Sequence, residues 1–189
     1  LQDLWASSPL STRRYLISLM EEMAESNVEL NFRRVFEVAL HDPDPEVRAH
    51  AVSGLWEEDD PRLLDRLLDL LPNEEAEHVR EAIAVALSRF SYLASIDQLD
   101  EPRARRLRHT LFALAREDAA LAVRRRAVEA IGYYGDDPDV VELIAEAYDA
   151  AEHELRVSAV YAMGRSLDRR WLPHLLAELE SEEPELRYE

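Results

Sequence analysis

Apolar residues recur along this chain in stripes that are separated by acidic, proline-containing turns. Each stripe occupies positions 0, 4, 5 and 8 from an anchor residue, a spacing that places the side chains on one face of an α-helix. The four stripes are Val47, Ala51, Val52 and Leu55; Val79, Ile83, Ala84 and Leu87; Val123, Ala127, Val128 and Ile131; and Leu155, Ala159, Val160 and Met163. The pattern predicts four amphipathic helices that pack in the same way.

An arginine directly follows each anchor, and the spacing of these arginines reveals an internal repeat. Arg80 follows Arg48 by 32 positions, Arg124 follows Arg80 by 44, Arg156 follows after a further 32, and Arg187 after 31. A nearly fixed period in this range indicates a stacked array of helical repeats. The one long interval predicts an insertion near residues 90–102.

Proline and aspartate positions predict where the helices begin and end. Proline is tolerated in the first turn of a helix, and an aspartate before it caps the free amide groups. Together with the apolar stripes, these signals predict paired helices: a first-type helix, then a second-type helix that carries the anchor arginine. The predicted ranges are 9–26, 29–41, 45–57, 61–71, 75–94, 102–117, 119–133, 138–150, 152–167 and 169–181.

Two segments carry a resemblance to a known repeat family. DPEVRAHAVSGL at residues 44–55 and VRRRAVEAIGYYGD at residues 123–136 resemble HEAT-like repeats of the phycobilisome-lyase type. The resemblance implies an all-α fold, a right-handed α-solenoid of HEAT-like helix pairs forming an α-α superhelix. We expect one array over residues 1–189, a fragment of a longer solenoid with incomplete repeats at 1–28 and 168–189.

Composition narrows the classes of function. The chain contains neither cysteine nor lysine, which excludes thiol nucleophiles, thiolate metal sites and lysine Schiff bases within it. Its formal net charge of −18 disfavours nucleic acid, whose binding requires a basic face. No apolar run has the length of a membrane span, so we expect a cytoplasmic protein without membrane contact.

The anchor arginines and the histidines are the candidate chemical groups. We interpret Asp44, Arg48, Arg80, Arg124 and Arg156 as a structural ladder of ion pairs that ties successive turns together. His153-Glu154 is similar to the iron-binding dyads of deoxyhypusine hydroxylase, but it precedes the anchor position instead of following it. The sequence therefore predicts no catalytic residue, no metal site and no cofactor.

The outward positions of the second-type helices are the predicted partner-binding surface, because in this family they line the concave face. These residues are Val85, Arg89, Glu129, Tyr133, Tyr161 and Arg165. Tyrosine and arginine are typical of interface hot spots, and the acidic charge favours a basic protein or peptide. We expect a non-catalytic scaffold or adaptor. The alternative is an accessory or lyase-like enzyme component of the bilin-lyase HEAT type. A HEAT-like DNA glycosylase is disfavoured, because it would need a basic groove and the chain is strongly acidic.

Overall fold

The computed structural model describes residues 1–27 and 29–189, and those residues form helices and turns without any β-strand. Val28, the last residue of the predicted incomplete repeat at 1–28, lies outside the described residues. The α-helices are α1 Gln2–Ser7, α2 Leu10–Ser26, α3 Arg33–Ala39, α4 Pro45–Ser53, α5 Pro61–Leu70, α6 Glu77–Ser95, α7 Glu101–Glu117, α8 Leu121–Ile131, α9 Pro138–Tyr148, α10 His153–Ser166, α11 Leu172–Glu178 and α12 Pro184–Tyr188.

The architecture is an all-α helical-repeat solenoid, as the sequence predicts. Its helices fall into two compact units, Leu1–Ala86 and Leu87–Glu189, and the boundary between them lies within α6. In the first unit α4 packs against α2 and α3, and α1 contacts α3. In the second unit α8 packs against α7 and α10, while α10 also contacts α9, α11 and α12.

The predicted apolar stripes form the core of both units. All of their residues except Leu155 are at most 3% exposed. Leu155 is only partly buried, so its assignment as a core anchor was wrong. Val157, two positions later, is buried instead and packs with Val160 and Leu186 of α12. The short helices owe their order to this shared interface, because helices of about a dozen residues are marginal alone in water.

Aspartate side chains cap several helix N-termini. Asp44, Asp60 and Asp137 each accept a hydrogen bond from a backbone amide of the helix that starts with the following proline. Asp100 caps α7 in the same way, with proline one position further on. The capping predicted from Asp44 and Pro45 is confirmed, and the same local chemistry recurs at other repeats.

Two helix boundaries in the first unit differ from the prediction by four residues each. The helix predicted over residues 29–41 begins at Arg33, whose amide donates to Asn31 Oδ1 at 2.9 Å. This side-chain acceptor provides an alternative to an earlier helical turn. The next helix ends at Ser53 instead of residue 57. Gly54 follows it against the Phe36 ring, where a Cβ would lie 2.4 Å from Cζ, so an ordinary side chain would not fit there.

The predicted insertion corresponds to a long helix and a tight turn. Helix α6 continues for 19 residues to Ser95, and the chain then turns at Asp97, whose φ of 58° lies in the left-handed region. Helix α7 begins after the Asp100 cap. Within residues 1–27 and 29–189, no helix combines the length and apolar character needed to cross a bilayer.

Candidate functional site

Three of the predicted partner-binding residues meet in the second unit. The guanidinium carbon of Arg165 lies 4.7 Å from the Tyr133 ring centroid and 4.5 Å from the Tyr161 ring centroid. Arg165 also donates hydrogen bonds to both tyrosine hydroxyls, and its Nη1 donates to Ser88 Oγ at 3.2 Å. We call Ser88, Tyr133, Tyr161 and Arg165 the arginine clamp.

Helix geometry and two glycines position the arginine clamp. Tyr161 and Arg165 are four residues apart on α10, so they share one helix face. Tyr133 lies in the 3-10 turn Gly132–Tyr134 that continues α8. A Cβ on Gly132 would lie 2.9 Å from the Ala162 carbonyl oxygen, so only glycine allows the turn to pack this closely on α10. The turn therefore brings the Tyr133 ring to Arg165.

Tyr92 extends this aromatic surface, and the sequence reasoning missed it. Its ring centroid lies 5.7 Å from that of Tyr133, with a tilt of 58°, and 40% of its surface is exposed. Tyr92 belongs to the insertion that lengthens α6, so it stands outside the fixed repeat offsets from which the other residues were chosen. Its spacing of seven residues from Val85, two helical turns, is the sequence signal that places it on the same side of α6.

Glu129 is engaged by neighbouring side chains of the same unit. It accepts hydrogen bonds from Arg126 Nη1 at 2.9 Å and from Ser158 Oγ at 2.7 Å, and Arg125 Nη2 lies 4.0 Å away. Burial raises the pKa of Glu189, and the nearby Glu129 carboxylate raises it further. Glu129 therefore already has hydrogen-bond and ion-pair partners within the protein.

The remaining predicted residues lie on α6. Arg89 is exposed, belongs to the second unit and takes part in an interaction within the protein. Val85 is 51% exposed and belongs to the first unit, so its place in this surface stays a prediction. The prediction treats Tyr133, Tyr161 and Arg165 as exposed side chains on the outward positions of their helices. The structure instead shows them half-buried, because the two rings and the guanidinium cover one another.

The predicted structural ladder corresponds to a recurrent set of contacts. Arg48 donates from Nε and Nη2 to both carboxylate oxygens of Glu74, at 2.8 and 2.7 Å, and from Nη1 to the Asp42 carbonyl oxygen. In the same manner, Arg124 donates from Nη2 to the Glu152 carboxylate at 3.2 Å, and from Nη1 to the backbone carbonyl oxygen six positions before Arg124. Each arginine thus joins its own turn to a later repeat.

The other two anchor arginines share parts of this scheme. Arg156 pairs with Glu178 at 2.5 Å, and Arg80 donates to the carbonyl oxygens of Glu74 and Glu75, six and five positions before it. Asp44 binds Nε and Nη2 of Arg14 at 3.0 and 2.6 Å, so it serves the preceding helix pair instead of Arg48. These hydrogen bonds lower the pKa of Asp44 against the effect of its burial.

Comparison with protein families gives the class of repeat. The model for HEAT repeats matches residues 33–109 and 108–189, which together span most of the chain. The chain belongs to the HEAT-repeat family. The match is to HEAT repeats in general and does not single out the phycobilisome-lyase type. A comparison with curated proteins gave no match.

A second polar cluster in the HEAT array surrounds a buried carboxylate that the sequence did not reveal. Glu178 is 3% exposed and accepts hydrogen bonds from Tyr148 and Arg156. Burial alone would raise the pKa of Glu178, but these hydrogen bonds outweigh burial and lower it. The His174 ring packs edge-on against Tyr148 at 5.3 Å and against Trp171 at 5.5 Å. The cluster joins α9, α10 and α11.

Two of the histidines considered as metal ligands, His153 and His50, contact carboxylates of the HEAT array. His153 Nδ1 lies 2.6 Å from Glu183, and its Nε2 lies 3.1 Å from Glu185. His50 pairs with Glu21. Within the described part of the chain, no group of three or more potential metal ligands converges.

Proposed function

We propose that this HEAT-repeat protein is a non-catalytic scaffold or adaptor that binds a protein or peptide along its second-type helices. The binding surface contains Arg89 and the arginine clamp, extended by Tyr92. One observation carries this proposal: four side chains contact one another in succession, in the order Tyr92, Tyr133, Arg165 and Tyr161.

The stacked arrangement supports binding for a thermodynamic reason. Tyrosine and arginine contribute much of the energy at protein interfaces, yet ordering a flexible side chain costs about 0.5–1.5 kcal/mol on association. In the arginine clamp, hydrogen bonds and ring contacts already restrict these side chains in the free protein. A partner that contacts them therefore loses less of its binding energy to side-chain ordering.

The charge of the whole chain bears on the encounter with a partner. A net charge of −18 attracts a basic protein or peptide over distances near the Debye length and accelerates association. We propose such a basic partner and binding on the concave face that this family uses. The alternative, an accessory or lyase-like component of the phycobilisome-lyase type, rests on the repeat resemblance alone.

The experiment removes the two rings of the arginine clamp. A partner is captured from the source cell, and its Kd is measured for the wild-type protein and for the Tyr133→Ala/Tyr161→Ala variant. We expect binding to weaken about tenfold or more, which corresponds to about 1.4 kcal/mol. Circular dichroism and thermal melting establish that the variant is folded.

The matched control is the Tyr15→Ala/Tyr188→Ala variant. These tyrosines are 65% and 87% exposed, so it makes the same chemical change away from the arginine clamp. We expect its Kd to stay within about twofold of wild type. A smaller loss than tenfold in a folded Tyr133→Ala/Tyr161→Ala variant would contradict this site and move it to the convex face or to the part of residues 90–102 that follows Tyr92.

A further inference from the structure

Among the described residues, Arg165 has no carboxylate partner, although the protein has carboxylates in excess. The chain contains 40 aspartate and glutamate residues but only 22 basic residues. Within residues 1–27 and 29–189, Arg165 contacts two tyrosine rings and three hydroxyl groups and forms no ion pair. All the partners that the structure describes for this half-buried guanidinium are neutral, so no carboxylate among them neutralises its positive charge.

The unused donors of Arg165 include the edge that binds carboxylates elsewhere in this protein. A guanidinium has five N–H donors. Three hydrogen bonds occupy both Nη1 donors and one Nη2 donor, which leaves Nε–H and the second Nη2–H. Arg48 uses Nε and Nη2 to bind Glu74, and Arg14 uses the same two atoms to bind Asp44. Arg165 offers the corresponding atoms without a carboxylate.

The surroundings of Arg165 favour an external anion over an internal one. Glu129, one helical turn before Tyr133, is already engaged by Arg126 and Ser158. The tyrosine rings shield the guanidinium partly from water, and a charge-assisted bidentate pair is stronger where water is partly excluded. Tyr92, 40% exposed beside Tyr133, adds an apolar contact at the same place.

We propose that Arg165 is the receptor for the carboxylate of an acidic side chain of the bound partner. The carboxylate accepts hydrogen bonds from Nε and Nη2 in the geometry of the Arg48–Glu74 pair. This assignment rests on the proposed peptide-binding function and gives the partner an acidic group at this position, whatever the charge of its remaining surface.

The test uses three capped peptides of equal length in which glycine alternates with glutamate, glutamine or arginine. Each is titrated into the 15N-labelled full chain, and the signals of residues 88–92, 133 and 161–165 and the arginine Nε–H groups are followed by NMR. We expect the glutamate peptide to bind about tenfold or more tightly than the glutamine peptide. The Nε–H signal of Arg165 should shift with it.

Two variants at Arg165 and one matched control test whether Arg165 causes the preference for the glutamate peptide. Arg165→Gln should abolish the preference for glutamate. Arg165→Lys keeps the charge but lacks the two-donor fork, so it should lose most of the preference; it also serves as the test variant if Arg165→Gln does not fold. Arg169→Gln removes the same charge from an exposed position of the same unit and should leave the preference within about twofold of wild type.

The other outcomes separate this inference from the proposed function. If the arginine or glutamine peptide binds as well as the glutamate peptide, and Tyr133→Ala/Tyr161→Ala weakens it, peptide binding stands and the carboxylate assignment is wrong. An equal response of Arg165→Gln and Arg169→Gln also overturns the assignment. If none of the three peptides binds with a Kd below about 10 mM, both proposals fail at this surface.

Discussion

Gly132 packs its backbone directly against Ala162. A Cβ on Gly132 would lie 2.9 Å from the Ala162 carbonyl oxygen and 3.0 Å from its Cα. Gly135 has the same relation to Ser166, at 2.8 Å from its Cβ. The two glycines let the turn after α8 rest on α10, and this close approach is what allows Tyr133 to contact Arg165.

Gly132→Ala should therefore destabilise the protein and disturb the arginine clamp. The atoms that the new Cβ meets are mostly backbone, so the turn must move; overpacking of this kind costs about 1–3 kcal/mol. Urea denaturation measures the loss, and the NMR signals of Tyr133 and Arg165 report the displacement.

Gly164→Ala is the matched control for this change. Gly164 lies exposed in α10, and a Cβ there would meet no atom within 4 Å. Because alanine is the better helix former, the control should stabilise the protein by about 0.5–1 kcal/mol. Effects of the same sign for both substitutions would contradict the packing described for Gly132.

Ile131→Ala tests the core assignment. Ile131 is fully buried in α8, and large-to-small changes of this kind cost about 2–5 kcal/mol. Arg125→Ala, on the same helix, removes a partly exposed side chain with one hydrogen bond to Ser158 and should cost less than about 1.5 kcal/mol. Chemical denaturation compares the two variants. Equal losses would mean that the inward face of α8 is misassigned.

Two anchor arginines at equivalent repeat positions should differ in their effect on stability. Arg48→Met leaves the Glu74 carboxylate, whose side chain is 5% exposed, without its cation, and breaking a buried pair costs about 3–5 kcal/mol. Arg124→Met loses an ion pair with Glu152, whose side chain is 45% exposed, and such pairs contribute about 0–1 kcal/mol. Thermal and urea unfolding measure both. A larger loss for Arg124→Met would contradict the burial argument.

Glu178 should make the stability of the fold depend on pH in the acid range. Its pKa is lower in the folded protein than the ordinary value of 4.5, so the unfolded chain binds a proton first as the pH falls. The stabilisation is therefore complete above that ordinary value and is lost as the pH falls through the lower, folded pKa.

Glu178→Gln should flatten this acid dependence and reduce stability at neutral pH, because the amide keeps the shape but not the charge that Arg156 contacts. Glu154→Gln, at an exposed position of α10, is the control and should leave the slope unchanged. Unfolding free energies between about pH 3 and pH 7 measure both slopes. An unchanged slope in Glu178→Gln would assign the acid sensitivity to other carboxylates.

The sequence by itself determined the repeat architecture and most of the core. Stripes such as Val123, Ala127, Val128 and Ile131 are buried as predicted, because helical periodicity and burial of apolar surface act on every repeat alike. The aspartate and proline positions likewise fixed helix starts, since capping depends on residues close in sequence. These features are local or repeated, and one chain displays them several times.

The tertiary structure alone decided how the candidate site is built. The sequence placed Tyr133, Tyr161 and Arg165 in one column, but whether they face water or one another depends on the distance between α8 and α10, which Gly132 and Ala162 set. The tertiary structure also decided that Asp44 binds Arg14, and that Tyr92 of the lengthened α6 contacts Tyr133. Such contacts depend on helix separation and side-chain direction, which periodicity does not specify.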